Sequence, residues 1–430
     1  MKSKWMQGLL AAAVLSVAAS GANAGYDEAR AAMRADDADR AIAQCQADAE
    51  GGDRMCQFVL GLIYSGDSFG RPNPKLAIRW LELSAQQGYE HAQGLLATMY
   101  FEGRGTPKDD ERAFKWFLRA AEGGILHAKY RVANMYSNGV GVREDVGQAF
   151  VWYTKAATDG HVDAQYELAL FFLLAENNEK AFEWMSKAAA QGKAAAQTGV
   201  CLMHMDGVGV EKDDRKAVQL CQLAAQQGDP DAQEALGTFY KDGRGVAVNH
   251  PVSFSWYRKA AEQSKVKAYF GVAGAYYTGR GVAQDYRAAA QWATKGAEAG
   301  DAPAQALLGV MYSDGVGVIQ DQQQALIWLR RAGVQGSMLA LRRLGEAYMN
   351  GVGVRKDLVV AYALLNLAAS DGNEGTLQKR NRLAALLTPE QLREGQMLSR
   401  WKVGEKLPTK STTWAPSNSP TPAAPKKGML

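Results

Sequence analysis

The chain has 430 residues, of which 47% are hydrophobic and 22% are charged, and its formal net charge is +4. An apolar fraction of this size supports a buried core and excludes an intrinsically disordered protein. The high counts of glycine (45) and tryptophan (10), with only 12 prolines, argue against proline-rich linkers and for a recurring unit that contains glycine and tryptophan.

Residues 1–24 have the pattern of a secretory signal peptide. Two lysines precede an apolar stretch over residues 8–19, and a run of small residues ends at Ala24. The apolar stretch is shorter than the roughly 20 residues that span a bilayer. We therefore expect cleavage after Ala24 and a periplasmic or secreted protein in an oxidising compartment.

A spacing of 36 residues organises the chain from residue 53 to residue 372. Tyrosine recurs at this spacing, and the only irregular step, from Phe172 to His204, is 32 residues long. Tryptophan usually follows the tyrosine position by 16 residues, and alanine or cysteine precedes it by eight. The tyrosines of this lattice are Tyr64, Tyr100, Tyr136, Tyr240, Tyr276, Tyr312 and Tyr348.

Each unit predicts two helices joined by a glycine turn. Small and apolar residues before the tyrosine form one helical stripe. The first helix ends at a glycine such as Gly103, because a left-handed glycine commonly terminates a helix. The second helix starts at an Asp or Asn such as Asp109, whose side chain accepts hydrogen bonds from first-turn amides. We expect an all-α fold, an α/α superhelical solenoid of about nine 36-residue helix-turn-helix repeats with helical caps.

The predicted domain order follows from these patterns. Capping helices occupy residues 25–52, repeats fill residues 53–372, and closing helices follow over residues 373–401. Residues 402–430, rich in Pro, Ser, Thr and Lys, are expected to be a disordered basic tail. Without the two signal-peptide lysines and the tail's net +4, the body carries about −2, so no nucleic-acid binding is expected.

The repeated pattern resembles the Sel1-like repeat, a subfamily of the tetratricopeptide-like solenoids. The resemblance covers residues 53–372, with four departures: His204 replaces tyrosine, Ser264 replaces glycine, the fourth turn is shortened, and the first unit lacks Gly-x-Gly near residues 67–70. The clearest copy carries Ala232, Leu236, Gly237, Tyr240, Gly243, Gly245, Val246, Trp256, Tyr257, Lys259, Ala260 and Ala261.

The resemblance implies an exported bacterial scaffold without catalytic activity that binds a protein or peptide, in envelope regulation or in contact with a host. The first helices of such solenoids line a concave face, where aromatic rings supply apolar area and polar groups bond a peptide backbone. The partner and the oligomeric state stay open. The residues that map to this face are Thr98, Phe101, Glu102, Tyr130, Asn134, Asn138, Tyr166, Thr238, Asp242, Phe270, Tyr277, Asp314 and Asn350.

Four cysteines follow the predicted signal peptide, and we predict the disulfides Cys45–Cys56 and Cys201–Cys221. Each pair spans a helical hairpin at positions where the backbones approach closely. Cys201, His204 and Cys221 are an alternative partial metal site, but structural zinc needs a fourth ligand. We therefore predict no metal and no cofactor.

Candidate catalytic residues are few. Ser-x-x-Lys occurs at residues 264–267 and 399–402, but the accompanying Ser-Asp-Asn and Lys-Thr-Gly elements are missing. His91 and His127 occupy equivalent positions at a helix start and are expected at the surface. We predict that the protein is not an enzyme. The alternatives are β-lactam or peptidoglycan binding with weak hydrolysis, and a peptidoglycan-associated structural protein anchored by the tail.

Overall fold

The computed structural model describes residues 24–66, 69 and 72–408. Residues 1–23 of the predicted signal peptide, residues 409–430 of the predicted tail and most of the first repeat's turn lie outside this part. Within it, all regular secondary structure is helical, so the predicted all-α solenoid is confirmed. The chain forms two compact units, one up to Asp213 and one from Asp214.

Unit 1 contains eleven α-helices that alternate direction as consecutive helices pack side by side. The helices are α1 (Ala24–Arg34), α2 (Ala38–Glu50), α3 (Arg54–Ser65), α4 (Pro74–Gln86), α5 (Glu90–Glu102), α6 (Asp110–Glu122), α7 (Leu126–Asn138), α8 (Val146–Thr158), α9 (Val162–Leu174), α10 (Asn178–Ala190) and α11 (Ala194–Asp206).

Unit 2 also contains eleven α-helices, and a short 3-10 helix, Ala369–Asp371, follows α20. The helices are α12 (Asp214–Gln226), α13 (Pro230–Asp242), α14 (His250–Glu262), α15 (Val266–Thr278), α16 (Tyr286–Glu298), α17 (Ala302–Asp314), α18 (Gln322–Val334), α19 (Met338–Asn350), α20 (Leu358–Ala368), α21 (Glu374–Ala384) and α22 (Pro389–Leu398).

The helix ends lie where the capping residues predict. Glycines three residues after the tyrosine position take left-handed backbone angles. Their φ values range from 64° at Gly139 to 75° at Gly207. Eight predicted N-cap side chains accept a hydrogen bond from an amide of the first turn. These caps are Asn73, Asp109, Asp145, Asn177, Asn249, Asp285, Asp321 and Asp357.

The core of each unit lies between the first and second helices of its repeats. Alanine eight residues before the tyrosine position is almost fully buried, as at Ala92 and Ala128, so the helices approach closely. Larger side chains such as Phe117 and Leu168 fill the remaining space. A helix pair cannot bury both of its apolar faces alone, so neighbouring repeats supply the rest of each core.

The turn between the helices of one repeat also contacts the preceding repeat. At Gly141, a Cβ atom would lie 2.0 Å from the carbonyl oxygen of Asp110 in the first turn of α6. The turn after α9 is shorter and comprises only residues 175–177. This difference between two turns of unit 1 determines which side chains stay exposed there.

The described cysteines are all disulfide-bonded. Cys45 and Cys56 are fully buried, with Cα atoms 4.9 Å apart, and join α2 to α3. Cys201 and Cys221 are likewise disulfide-bonded, so neither offers a thiolate to a metal ion. The prediction of two disulfides is supported.

Residues 402–408, which the sequence predicts as the start of the tail, lie against the last repeats in the described structure. The amide of Gly404 donates to the carbonyl oxygen of Val334 at 2.9 Å, and Leu407 packs against the apolar core of α18 and α19. The indole N–H of Trp401 donates to the carbonyl oxygen of Glu405 at 3.0 Å. Composition suggested disorder for residues 402–408, but a few apolar side chains among polar neighbours are enough to hold this segment on the last repeats.

Candidate functional site

The first helices of the repeats form the inner side of each unit. Successive first helices, such as α3 and α5 in unit 1 or α17 and α19 in unit 2, contact each other more extensively than successive second helices do. We call the surface that the first helices leave exposed the inner side of its unit.

Tyr153 is the centre of a polar cluster on this side of unit 1. The residue follows Trp152 on α8, is only 2% exposed, and reaches through the core with its hydroxyl toward Asn134 and Ser137 of α7. Burial raises the pKa of Tyr153, and the hydrogen bonds to Asn134 and Ser137 oppose this only in part. The phenol therefore stays protonated and remains a hydrogen-bond donor and acceptor.

Tyr130 lies beside Tyr153 and is stacked on His161. The Tyr130 and His161 rings are 4.5 Å apart and inclined by 15°, and the two tyrosine rings are 6.0 Å apart. Burial raises the pKa of Tyr130 to about 12, and the carboxylates of Asp163 and Glu167 add to this effect. Tyr130 thus forms the half-buried part of an aromatic wall that the buried Tyr153 ring continues into the core.

Glu167 supplies the negative charge of the cluster. Burial raises the pKa of its carboxyl, and nearby Lys193 opposes the shift. Lys193 is already paired with Asp163 at 2.7 Å, and its ammonium lies 4.9 Å from the centre of the Tyr166 ring. Glu167 is therefore partly desolvated without a dedicated cation. We name Tyr130, Asn134, Ser137, Tyr153 and Glu167 the Tyr153 site.

The histidines near this site are neutral and partly buried. His127 and His161 have ring centres 5.9 Å apart, and burial lowers the pKa of His127 to about 3. Burial also lowers the pKa values of His161 and His91. His91 and His127, expected at the surface, are partly buried: the His91 ring lies 6.2 Å from the Phe58 ring, and the His127 ring lies 6.3 Å from the Tyr130 ring. His161 Nδ1 accepts from the amide of Ala164 at 3.3 Å.

Phe101 extends the inner surface toward the start of unit 1. The guanidinium of Arg131 lies 4.3 Å from the centre of the Phe101 ring and 5.5 Å from that of Phe117. The ammonium of Lys108 lies 5.2 Å from the Phe101 ring. Two cations thus flank one half-buried aromatic ring, as cation–π contacts favour.

The structure removes one predicted residue from this surface. Thr98 is only 8% exposed, and its hydroxyl donates to the carbonyl oxygen of Gly94 at 2.9 Å. Nearly every residue of α5 is buried, so no side of the helix at Thr98 is left for a partner. Asn138, in contrast, is exposed and donates to the carbonyl oxygen of Asn134 at 2.8 Å.

Unit 2 has a smaller cluster of the same kind. Tyr257 occupies the position equivalent to Tyr153, and its hydroxyl lies 2.9 Å from that of Thr238. Burial raises the pKa of Tyr257 to about 12 and also raises the pKa of Glu234. No aromatic ring equivalent to Tyr130 stands beside it, because this position of α13 is Glu234.

The other predicted residues of unit 2 are distributed over several helices. Phe270 is exposed on α15, where Tyr277 contacts the Tyr286 ring edge-on with centres 5.5 Å apart. Asp314 accepts from Arg343 at 3.4 Å, and Asn350 is exposed at the end of α19. These residues share the inner side of unit 2 without forming a cluster like the Tyr153 site.

Sequence reasoning missed the residues that organise the site in unit 1. Tyr153 lies on a second helix, and Glu167 and His161 lie outside the positions chosen for the concave face. One signal was available: the residue after the tryptophan position is tyrosine only in two repeats. In the others it is Leu81, Phe117, Met185, Cys221, Ala293, Leu329 or Leu365.

The arrangement offers hydrogen bonding and ring stacking. The serines of the two Ser-x-x-Lys sequences lie elsewhere in the chain. The Ser399 hydroxyl donates to the carbonyl oxygen of Gly395 at 2.8 Å, and Ser264 lies in a left-handed turn between α14 and α15. Among residues 24–66, 69 and 72–408, no group of His, Cys, Asp and Glu is placed to hold a metal ion. Across the same part of the chain, no helix has the length and hydrophobicity that crossing a bilayer requires.

The fold and its inner surface define an α/α solenoid of tetratricopeptide-like helix pairs. The sequence model of the Sel1 repeat matches nine consecutive segments that together run from residue 54 to residue 373, with one break at residue 338. The fourth segment, residues 162–193, is the short one. The chain belongs to the Sel1 repeat family.

Two solved structures are similar in both sequence and fold. The first is c5321, a protective antigen of uropathogenic Escherichia coli strains that displays an SLR fold, with 31% identity, a TM-score of 0.77, and coverage of 87% of this chain and 82% of that one. The second is a Sel1 repeat protein from Oxalobacter formigenes, with 32% identity, a TM-score of 0.53, and coverage of 79% and 99%. No curated protein matches the chain.

Proposed function

We propose that this protein is an exported, non-catalytic scaffold that binds a protein or peptide on the inner side of unit 1. Sel1 repeat proteins are generally protein-interaction scaffolds, and this chain has nine such repeats. The observation that carries the proposal is the Tyr153 site. It combines a buried phenol, amide side chains and a half-buried aromatic wall on the face that such solenoids present to partners.

The chemistry of the site suits an extended peptide. Asn134 and Asn138 offer both donors and acceptors to a peptide backbone, while Tyr130 offers a ring face that a partner's side chain can cover. Glu167 adds a partly desolvated carboxyl beside them, which favours a partner that donates a hydrogen bond. Partner binding would bury a surface that is already ordered, so little conformational entropy is lost.

A matched pair of tyrosine variants tests the site. Peptides selected by display against the chain from Gly25 onward supply the probes, and fluorescence anisotropy measures their Kd. We expect Asn134→Ala to weaken binding about tenfold, because its amide no longer bonds the partner, and Tyr153→Phe to weaken it to a similar extent, because the buried Tyr153 hydroxyl no longer holds Asn134 and Ser137 in place. Tyr257→Phe removes the equivalent hydroxyl in unit 2 and should leave Kd unchanged. Equal loss from both tyrosine variants would contradict the assignment to unit 1.

Export is the second part of the proposal. The sequence of residues 1–24 and the disulfide-bonded cysteines support an oxidising destination. Mass spectrometry of the protein recovered from the periplasm or medium of a Gram-negative host should give a chain that begins at Gly25. An intact mass that retains residues 1–24, with reduced cysteines, would contradict export.

The basic tail suggests a role at the cell envelope. Residues 409–430 carry three lysines and no acidic residue, which favours an anionic surface such as the cell wall. A chain that ends at residue 408 should lose salt-sensitive association with isolated peptidoglycan, while peptide binding at the Tyr153 site persists. Undiminished association of the truncated chain would rule out this role for the tail.

A further inference from the structure

The short turn after α9 leaves part of α8 uncovered. In a regular repeat, the second glycine of the turn lies against the first turn of the preceding second helix, as Gly141 lies against Asp110. The same contact recurs between Gly209 and Asn178 on α10. The repeat over residues 162–193 has 32 residues where its neighbours have 36, and the missing four include both glycines of this turn. The first turn of α8 therefore has no such cover.

Several exposed residues of α8 are large and apolar. Phe150 is 36% exposed, whereas its equivalent on α6, Phe114, is 8% exposed, and Val146 at the start of α8 is 56% exposed. The Phe150 ring is held by edge-on contacts with Phe171 and Phe172, whose ring centres lie 5.9 and 5.8 Å away. Of the other equivalents of Phe150, Val218, Ala290, Leu326 and Tyr362 are buried, and Ile78, Phe182 and Phe254 are partly buried.

Leu174 at the end of α9 continues this apolar surface. It is 85% exposed, and it lies three residues after Phe171, so both side chains share one face of the helix. We name Val146, Phe150, Phe171 and Leu174 the α8–α9 patch. Every equivalent of Leu174 in the regular repeats that carry the full Gly-x-Gly turn is polar: Glu102, Asn138, Asp206, Asp242, Thr278, Asp314 and Asn350.

The segments that flank the patch are acidic. Glu144 and Asp145 directly precede α8, and Glu176 and Glu179 follow Leu174. The only cations in these two stretches are Arg143 and Lys180, and the Lys180 ammonium lies 5.4 Å from the centre of the Phe172 ring. Four carboxylates against two cations favour a partner of positive charge.

We propose that the α8–α9 patch is a docking surface for a basic segment of a partner protein that places a large apolar side chain between Phe150 and Leu174. Contiguous exposed apolar residues with a charged margin mark interaction sites, and an inserted apolar side chain supplies most of the binding energy. The margin of carboxylates steers a segment with lysine or arginine onto the patch. The protein would thus present a contact that its regular repeats do not have.

The patch borders the Tyr153 site but shares no residue with it. The Phe171 ring lies 5.7 Å from the Tyr153 ring, so one partner can extend from the patch onto the polar site. The proposal goes beyond the proposed function, since it does not require hydrogen bonds at Tyr153. Tyr153→Phe distinguishes the docking proposal from the proposed function, because it changes the Tyr153 site and leaves the α8–α9 patch intact.

Two synthetic peptides test the proposal on the chain from Gly25 onward. The probe alternates leucine with lysine and carries one tryptophan, and the control replaces each lysine by glutamate. We expect the lysine peptide to bind and the glutamate peptide to bind at least about tenfold more weakly, by fluorescence anisotropy at low salt. Equal binding of both peptides, or of neither, would overturn the proposal.

Variants of the chain locate the binding. Leu174→Asn, which introduces the residue type of Asn138, should weaken binding of the lysine peptide about tenfold, while Val151→Asn, an exposed position outside the patch, should have no effect. Insertion of Gly-Val-Gly-Val after Leu174 restores the regular turn length and should abolish binding without altering any patch residue. Unchanged binding by the Leu174 variant, with circular dichroism showing an intact fold, would contradict the proposal.

Discussion

Two turns of unit 1 differ in length and in what they leave exposed. The turn over residues 139–145 follows α7 and lies against the first turn of α6, and Phe114 on α6 is buried. The turn over residues 175–177 follows α9 and does not reach α8, where Phe150 stays exposed. A repeat can thus lose four residues of its turn and keep both of its helices, because the shorter turn reduces burial on the preceding repeat instead.

The long turns of this solenoid pack against the preceding repeat and contribute to the core between repeats. The long turn fixes its glycines by close contact with a neighbouring backbone, as at Gly141. In the short turn Asn177 still caps α10 through its side chain, so the second helix starts normally. Helix formation is therefore local to each repeat, whereas burial depends on the next one.

The largest expected effect comes from Gly141→Ala. Its Cβ would lie 2.0 Å from the carbonyl oxygen of Asp110, and φ is 67°, so steric overlap adds to the left-handed strain of about 1–2 kcal/mol. We expect a loss of more than about 3 kcal/mol in the free energy of unfolding, measured by urea denaturation.

Gly160→Ala is the matched control for that variant. Gly160 has φ of 93° but nothing within 4 Å of the added Cβ, so only the left-handed strain remains. Similar losses for both variants would show that contact with α6 is unimportant.

Substitution of Phe114 or Phe150 by alanine measures how much the burial of each ring contributes to stability. Phe114→Ala should destabilise by about 3 kcal/mol, because it leaves a cavity beneath the long turn. Phe150→Ala removes a ring that is already 36% exposed and should cost about 1 kcal/mol. Thermal and urea unfolding compare the two. Equal costs would mean that the long turn does not protect Phe114.

Acid pH should lower the stability of the repeat over residues 126–161, which has the long turn, through His127. The equivalent residue in the short repeat is Asp163. Burial lowers the pKa of His127 to about 3, whereas an unfolded histidine has a pKa near 6.5. The unfolded chain therefore binds more protons between these values, and stability falls as pH falls. We expect a loss of about 1–2 kcal/mol between pH 7 and pH 5.

His127→Gln tests this source of acid sensitivity. The variant should lose less stability than the parent chain between pH 7 and pH 5, by urea midpoints at each pH. His91 and His161 keep their lowered pKa values, so part of the dependence should persist. Identical pH dependence of variant and parent would contradict the assignment to His127.

The smallest effect is expected in a turn between repeats. Ser264 has φ of 64° at a position where the equivalent residues Gly228 and Gly300 are glycine. Ser264→Gly should raise the free energy of unfolding by about 0.5–1 kcal/mol, because it relieves left-handed strain. A decrease in the thermal midpoint would show that the Ser264 side chain makes a compensating contact.

Much of the fold was predictable from the sequence. The tyrosine spacing, the glycines after it and the Asp or Asn caps specify where each helix begins and ends, since these are local properties of the backbone. The candidate site was accessible to sequence reasoning only in part. Tyr130, Asn134 and Asn138 are identified from the repeat spacing, but the burial of Thr98 and the approach of Tyr153 to Asn134 from a second helix are decided by tertiary packing.

The sequence by itself determined that this protein is a stack of helix pairs with one repeat four residues short. The tertiary structure decided what that shortening means, because exposure is set by atoms from a neighbouring repeat and not by the residue's own helix. Phe114 and Phe150 occupy the same position of the same pattern, yet Phe114 is 8% exposed and Phe150 is 36% exposed, and the turns that follow in the next repeats differ in length by four residues.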